Sequence, residues 1–334
     1  SDLLLTVSEL EVVVGAGALE AGMAERLVVA FGDRVRPAHP LLASAVLERT
    51  SMHDQRRLLS SLARAVQEPS RRSWFLARAT THQDAGLAAA VEEGASVAFA
   101  RGATEQAMEL AEHALRLTPT GAPERAERIL ALGECLLRAD ESVRLRTLLE
   151  RELSSFAPGD ARARGHLLLS SVVDDQQEYE RQLELAIATS ADSPGVHARA
   201  LCWQALDAAV SFLERLDEAE AKIGMAERLA AEGADAAFVR YAAAWIAVLR
   251  GRAPTIDGVA VEADGSPWLV RHSVERVAAI RLAFRGLVEE ARGRCTCLFD
   301  VAQERGDERS AEALRHQLGE LELRVGRVRA AQRS

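Results

Sequence analysis

Lysine is almost missing from this sequence. Lys222 is the only one, so arginine carries nearly all of the 41 positive charges against 50 acidic residues, and the formal net charge is -9. A phosphate backbone is gripped by clustered cations that release counterions, and an acidic chain without such clusters lacks that footprint. Nucleotide-hydrolysing loops need a lysine behind a glycine-rich cradle of backbone amides; Lys222 is followed by Ile223 and Gly224 inside a helical stretch. Neither a Gly-x-Ser-x-Gly elbow nor a His-Glu-x-x-His helix occurs. Aromatic residues make up only 4% of the chain, which disfavours the aromatic and β-branched surfaces of sheets. Cysteine is limited to Cys135, Cys202, Cys295 and Cys297, without disulfide-framework or zinc spacing, so they are expected to be buried thiols in a reducing cytoplasm. On a helix Cys295 and Cys297 point about 200 degrees apart, which argues against a shared metal. No apolar run approaches the roughly 20 residues that cross a bilayer, and no basic-then-apolar leader is present.

What the chain does have is alanine and leucine. With 48% hydrophobic residues over 334 positions, it is rich in strong helix formers and long enough for two architectural units. The expectation is an all-α protein without catalytic activity.

The first fifty residues differ from the rest. A short helix over Ser8 to Ala21 is predicted, followed by a hairpin in which 26–31 and 34–38 flank a turn at Gly32 and Asp33. Pro40 then opens a helix, because proline suits the first helical turn. This helix-hairpin-helix order makes 1–50 part of a winged helix. Residues 51–83 hold two linking amphipathic helices, His53 to Gln67 and Arg71 to Thr80, separated by Pro69.

From 84 to 334 the helical segments come in pairs: 87–100 with 104–117, 126–138 with 141–156, 160–173 with 176–190, and 196–213 with 217–231. Gly233 is expected to stop the last of these, and 236–249 begins a fifth pair. Pro254 to Pro267 loses the helical period and is predicted as a loop. Pairing resumes with 268–284, 287–304 and 308–324. The tetratricopeptide pattern repeats every ~34 residues, with small residues at helix crossings and proline at the exit. Ala95, Ala107, Ala114 and Pro119 fall at matching offsets, and Gly133 sits at a crossing position, where small side chains let helices interdigitate. The predicted architecture is a right-handed superhelix of tetratricopeptide-like helix pairs, cut inside a longer array at its C-terminal end.

Candidate binding residues cluster on the first helices of successive pairs. Asp207 lies in an otherwise apolar helix with Gln204 and Ser211 on its face; it fits either a ligand in the groove or hydrogen bonding between repeats. Trp203, Tyr241, Trp245 and Trp268 accompany Arg240, Arg271, His272 and Arg276. Aromatic faces and arginine donors suit a small polar ligand or a peptide, and the rings would equally fill gaps between repeats. The predicted ligand-binding set is Trp203, Asp207, Arg240, Tyr241, His272 and Arg276.

The segment from Asp33 to Leu47, Asp-Arg-Val-Arg-Pro-Ala-His-Pro-Leu-Leu-Ala-Ser-Ala-Val-Leu, resembles a signature of the large ATP-binding LuxR-type transcriptional regulators, which are signal-transducing ATPases. Residues 56–63 and 107–119 resemble that family's next helices and first repeat. The resemblance implies a parent protein with an upstream ATPase domain, a winged helix, helical repeats that sense a signal, and a C-terminal helix-turn-helix. ATP or ADP and DNA would then be bound only by that parent, and this segment would need no cofactor. Its expected partners are a small-molecule inducer or a regulatory protein or peptide in the repeat groove, with self-association as a further mode and no membrane contact. By the same resemblance His39 takes the place of a histidine that contacts nucleotide phosphate; a structural role at the hairpin is the alternative. Met52-His53-Asp54 spells the related motif one helix too late and is read as coincidence. The rival reading is a stand-alone tetratricopeptide adaptor that docks peptide segments of partner proteins.

Overall fold

The computed structural model describes residues 5–230, 233–254 and 270–327. It is 76% helical with 17 helices and one short antiparallel hairpin among the described residues, an all-α helical-repeat fold. The chain divides into two compact units, residues 1–98 with 106–128 and residues 99–105 with 129–334.

The first unit opens with α1 (Val7–Val14) and α2 (Ala16–Ala24). One continuous helix was the expectation; Gly15 breaks it by taking φ +84°, a region open to glycine but closed to a helix. Thr6 caps α1 in a box with Glu9, each side chain accepting from the other's backbone N–H. Both carboxylate oxygens of Glu9 also accept from Arg71, at 3.0 Å each. Burial raises the Glu9 pKa, but the hydrogen bonds from the Thr6 backbone and Arg71 outweigh it and hold the carboxyl below its ordinary range.

The predicted hairpin forms as β1 (Val28–Phe31) and β2 (Arg34–Pro37), pairing Val28 with Pro37 and Phe31 with Arg34, and Gly32 supplies a positive φ of 63° at the turn. Helix α3 (Pro40–Arg49) follows with proline in its first turn. Helices α4 (Met52–Ala65) and α5 (Pro69–Ala79) pack together. Pro69 opens α5 as well as ending the link before it. Next come α6 (Ala85–Ala100), α7 (Thr104–Leu117) and α8 (Arg125–Arg138); residues 99–105, from the end of α6 to the start of α7, and α8 from residue 129 on, belong to the second unit. Arg116 of α7 donates to the carbonyls of Ala77 and Thr80 at 2.6 and 3.0 Å, satisfying the open C-terminal end of α5. Ala107 and Ala114 are fully buried, as their repeat offsets require.

The second unit continues with α9 (Ser142–Glu152), a 3-10 turn (Leu153–Ser155), α10 (Asp160–Ser170), α11 (Gln176–Thr189), α12 (Pro194–Ser211), α13 (Leu216–Leu229) and α14 (Gly233–Leu249). A second 3-10 turn (Val270–His272) leads into α15 (Val274–Phe284), α16 (Val288–Glu304) and α17 (Glu308–Arg324). Gly233, expected to end a helix, begins α14 instead; α13 stops at Leu229, with Ala230 closing it. Most of the predicted loop after Pro254, and Trp268 with it, lies outside the described residues.

Each hairpin packs on itself, α10 on α11, α12 on α13 and α16 on α17, while first helices also meet the next first helix, α10 on α12 and α12 on α14. Alanine makes this possible. Ala198, Ala205 and Ala209 of α12 share one core with Ala219 and Ala226 of α13 and Ala242 of α14, all at 0% exposure, so the axes can approach closely. Gly133 is at a crossing, as predicted: a Cβ there would lie 3.2 Å from Leu145 and 3.3 Å from Leu168. Fully buried leucines such as Leu145 and Leu183 contribute about 1.5–3 kcal/mol each relative to exposure. A half-exposed helix pair such as Arg146 with Glu150 contributes about 0.3–0.5 kcal/mol. Apolar burial, not surface ion pairing, holds the array.

Candidate functional site

A cavity of about 200 Å³ lies within the second unit, lined by Leu137, Ser170, Ser171, Val173, Tyr179, Trp203, Arg271, His272 and Arg309. Its wall is assembled from helix ends and turns that are distant in sequence. Trp203 comes from the middle of α12, Tyr179 from the first turn of α11, and Arg271 with His272 from the 3-10 turn before α15.

That 3-10 turn is fastened to the start of α17. Asp307 is buried; one of its oxygens accepts from Ser310 N–H at 3.0 Å, capping α17, and the other accepts from Val270 N–H at 2.8 Å. Arg271 N–H donates to Ser310 Oγ at 2.9 Å. Further along, Arg276 Nε donates to Gln317 Oε1 at 3.0 Å and its Nη1 to the Arg271 carbonyl at 3.2 Å. Arg309, in the first turn of α17, closes the opposite side: it donates to Ser142 Oγ at 2.9 Å, to Asp140 at 3.3 Å and to the Ser171 carbonyl at 2.8 Å. Its Nε is buried with no hydrogen-bond partner.

His272 sits at the centre of an aromatic cluster. Its ring centroid is 5.2 Å from Trp203, 5.3 Å from Tyr241 and 5.6 Å from Phe238, edge-on to Trp203 and Phe238, the geometry in which ring quadrupoles attract. Arg271 Nε donates to His272 Nε2 at 3.2 Å, which requires that nitrogen to be unprotonated. Burial and then the guanidinium charges of Arg271, Arg276, Arg309 and Arg199 push the His272 pKa well below its ordinary value. The ring is therefore neutral. Burial also pulls the Arg271 pKa down to about 10, with Arg309 adding to the effect. Arg271 thus remains a cation at neutral pH, and no carboxylate among the described residues forms a salt bridge with it. Burial, then Asp207, raises the Tyr179 pKa, so its hydroxyl keeps its proton.

The structure brings Trp203, Tyr241 and His272 together, with Arg276 bracing the turn beside them. It does not bring Asp207 or Arg240 to the same place. Asp207 accepts from Gln176 Nε2 of α11 at 3.2 Å, while Gln204 on the same helix accepts from Lys222 of α13 at 3.2 Å. The polar stripe of α12 thus bonds to neighbouring helices on both sides. Arg240 is exposed and lines a separate open groove of about 770 Å³ along α13 and α14, together with Glu220, Glu227 and Arg252. His39 is exposed at the start of α3, where its Nδ1 accepts from Leu41 N–H at 3.2 Å as a helix cap. Phe238, Tyr179, Ser170, Ser171, Leu137 and Arg309 went unnoticed in the sequence. Phe238 carried a signal, three residues before Tyr241 on one helical face. The others had none, because their meeting depends on how distant turns pack.

No group of three or more His, Cys, Asp or Glu among the described residues is placed to hold a metal ion, and no described helix is long and apolar enough to cross a membrane. Compared with known proteins, the sequence matches no family model and no curated protein.

Proposed function

We propose that this chain is the signal-sensing repeat segment of an ATP-dependent transcriptional regulator of the large LuxR type, acting in the cytoplasm. The cavity at Trp203, Arg271 and His272 carries this reading: a partly enclosed space with aromatic walls and guanidinium donors, set among stacked helix pairs, is the kind of place where a small ligand is held. The segment from Asp33 to Leu47 supports it further. It forms the hairpin and proline-opened helix that the resemblance to these regulators calls for, consistent with part of a winged helix over 1–50. In this reading the segment itself neither hydrolyses ATP nor reads DNA. An inducer or a regulatory protein would act by binding one state of the parent more tightly than the other, since only differential affinity shifts an equilibrium.

The adaptor reading draws on the groove along α13 and α14. Its open volume and mixed lining of Glu220, Glu227, Arg240 and Arg252 suit a peptide. The complete reading frame separates the two, because a Gly-x-x-x-x-Gly-Lys-Ser/Thr segment upstream and a helix-turn-helix downstream belong only to the regulator. A thermal-shift screen of metabolites and peptides tests ligand sensing directly. A ligand at a hundredfold over its dissociation constant stabilises by ~2.7 kcal/mol, and Trp203→Ala should abolish the response. If no compound shifts the melting temperature, or Trp203→Ala leaves every shift intact, the cavity is not the sensor.

A further inference from the structure

Among the polar groups that the cavity leaves unused, the nitrogens are all donors. Arg271 spends its backbone N–H on Ser310 and its Nε on His272, and its two terminal nitrogens have no hydrogen-bond partner among the described residues. The Tyr179 hydroxyl and the Trp203 indole N–H are likewise unpaired among those residues, and Arg309 Nε is buried without a partner. Two nearby acceptors are already engaged, His272 Nε2 by Arg271 and the Ser171 carbonyl by Arg309; the Ser170 and Ser171 hydroxyls spend their hydrogens on the Leu167 carbonyl. These nitrogen donors outnumber the open acceptors, and an unpaired donor that is taken out of water is costly, so a guest that brings acceptors is favoured.

Charge points the same way. Arg271 and Arg309 stand in the wall together with a neutral His272. The one ion pair at this wall runs from Arg309 to Asp140 at 3.3 Å; Arg271 makes no salt bridge among the described residues, though the Asp307 carboxylate acts on it from a distance, and in a half-buried setting its attraction for an anion is far stronger than in water. A guanidinium with both terminal nitrogens free matches the two oxygens of a carboxylate.

Size and lining fix the rest of the guest. The other walls are Leu137, Val173, the rings of Tyr179 and Trp203, and the uncharged Ser170 and Ser171, which favour an apolar body over a second charged group. A cavity of about 150 Å³ holds benzene, so about 200 Å³ takes one ring or a branched chain of similar bulk together with its carboxylate.

We infer that the cavity binds a small monocarboxylate with a single-ring or short branched apolar body, its carboxylate on Arg271 and its body against Trp203. This rests on the ligand-sensing reading and specifies its ligand class. Calorimetric titration of the 334-residue chain with benzoate and 3-methylbutanoate, beside benzamide, 3-methylbutanamide and inorganic phosphate, tests it. At least one acid should bind saturably, with its own amide and phosphate at least tenfold weaker. Arg271→Gln should reduce the acid's affinity to that of the amide while the melting temperature stays close to wild type. The acid-against-amide comparison needs no variant, so a destabilised Arg271→Gln would not obscure the result. The inference is overturned if neither acid binds at millimolar concentration, if an amide matches its acid, or if phosphate binds as tightly as both. It also falls if Arg271→Gln binds the acid unchanged. Stabilisation by a neutral metabolite or a peptide with both acids inert would overturn the carboxylate while leaving ligand sensing standing; no response to any compound would remove both.

Discussion

The hydroxyl of Thr104 donates a 2.6 Å hydrogen bond to the carbonyl of Gly306, 202 residues further along the chain. The turn between α16 and α17 is thereby packed against the turn between α6 and α7, and the contact is tight enough to demand glycine on both sides. Gly306 has φ +60°, and a Cβ there would lie 2.1 Å from the Gly102 carbonyl oxygen; Gly102 has φ +75°, and its Cβ would meet Glu304 O at 2.4 Å. Gly306→Ala should destabilise the chain by about 1–3 kcal/mol, through a strained φ and a backbone clash that no side-chain rotation relieves. Thr104→Val should cost about 1 kcal/mol for the lost hydrogen bond. Urea unfolding with limited proteolysis measures both, and earlier cleavage within α16 and α17 is the expected sign of a loosened contact.

The same α17 places Arg309 against the cavity and Asp307 under the 3-10 turn that carries His272. Stability should therefore respond to acid through that histidine. In the folded chain its pKa is well below the ordinary value, whereas the unfolded chain takes up a proton near pH 6.5. The unfolded state thus binds more protons below that point. The contribution is fully present above about pH 6.5 and is lost as the pH falls from there towards the folded value. Arg271, Arg276, Arg309 and Arg199 are the charged groups that oppose protonation of the ring. His113 and His166 are also lowered, chiefly by burial, and act in the same direction. The unfolding free energy should fall between pH 7 and pH 5 by up to about 1.4 kcal/mol per pH unit for each such histidine, and the melting temperature should fall with it. His272→Phe should make this slope shallower; an unchanged slope would mean that the ring does not titrate on unfolding.

Gly133 distinguishes a helix crossing from an ordinary buried position. The atoms that a Cβ would meet are methyl ends of Leu145 and Leu168 at 3.2 and 3.3 Å, which give by a few tenths of an ångström. Gly133→Ala should come out within about 1 kcal/mol of wild type, because the gain in helix propensity offsets the squeeze. Gly133→Leu should cost about 1–3 kcal/mol or more by forcing α8 away from α9 and α10. Equal effects of the two substitutions in denaturant unfolding would show that the crossing has slack.

Thiol reactivity should divide the cysteines three to one. Cys135, Cys202 and Cys295 are buried while Cys297 is exposed, which corrects the expectation that all four are buried. Burial pushes Cys135 and Cys202 up to about 12 and Cys295 to about 11, so little thiolate is present at neutral pH. Iodoacetamide should label Cys297 alone in the folded chain and all four after denaturation, read by peptide mass analysis. Rapid labelling of Cys202 in the native state would contradict the packing of α12.

Most of the element order could be read from the residues because helix pairing is written in short-range chemistry. Apolar spacing, Thr104 at the start of α7, Pro40 in the first turn of α3 and Gly32 at the hairpin turn each act within a few residues of themselves, so neighbours in sequence suffice to reveal them. The two misplacements, Gly15 and Gly233, came where glycine is compatible with either side of a helix boundary, and only the backbone angle taken in the folded chain settles which. The binding residues were partly legible. Trp203, Tyr241 and His272 stood out as aromatics in an alanine-rich array, and they do meet. Arg309 and Tyr179 carried no sign of their place, and Asp207 and Arg240 were drawn elsewhere by Gln176 and by the groove along α13 and α14. The residues alone determine that this chain forms stacked helices with small side chains between them, since periodicity and propensity are properties of consecutive positions. Which turns meet, and therefore which arginine faces an empty space and which is tied to a carbonyl, depends on how the helices cross across more than a hundred residues, and only the tertiary packing decides it.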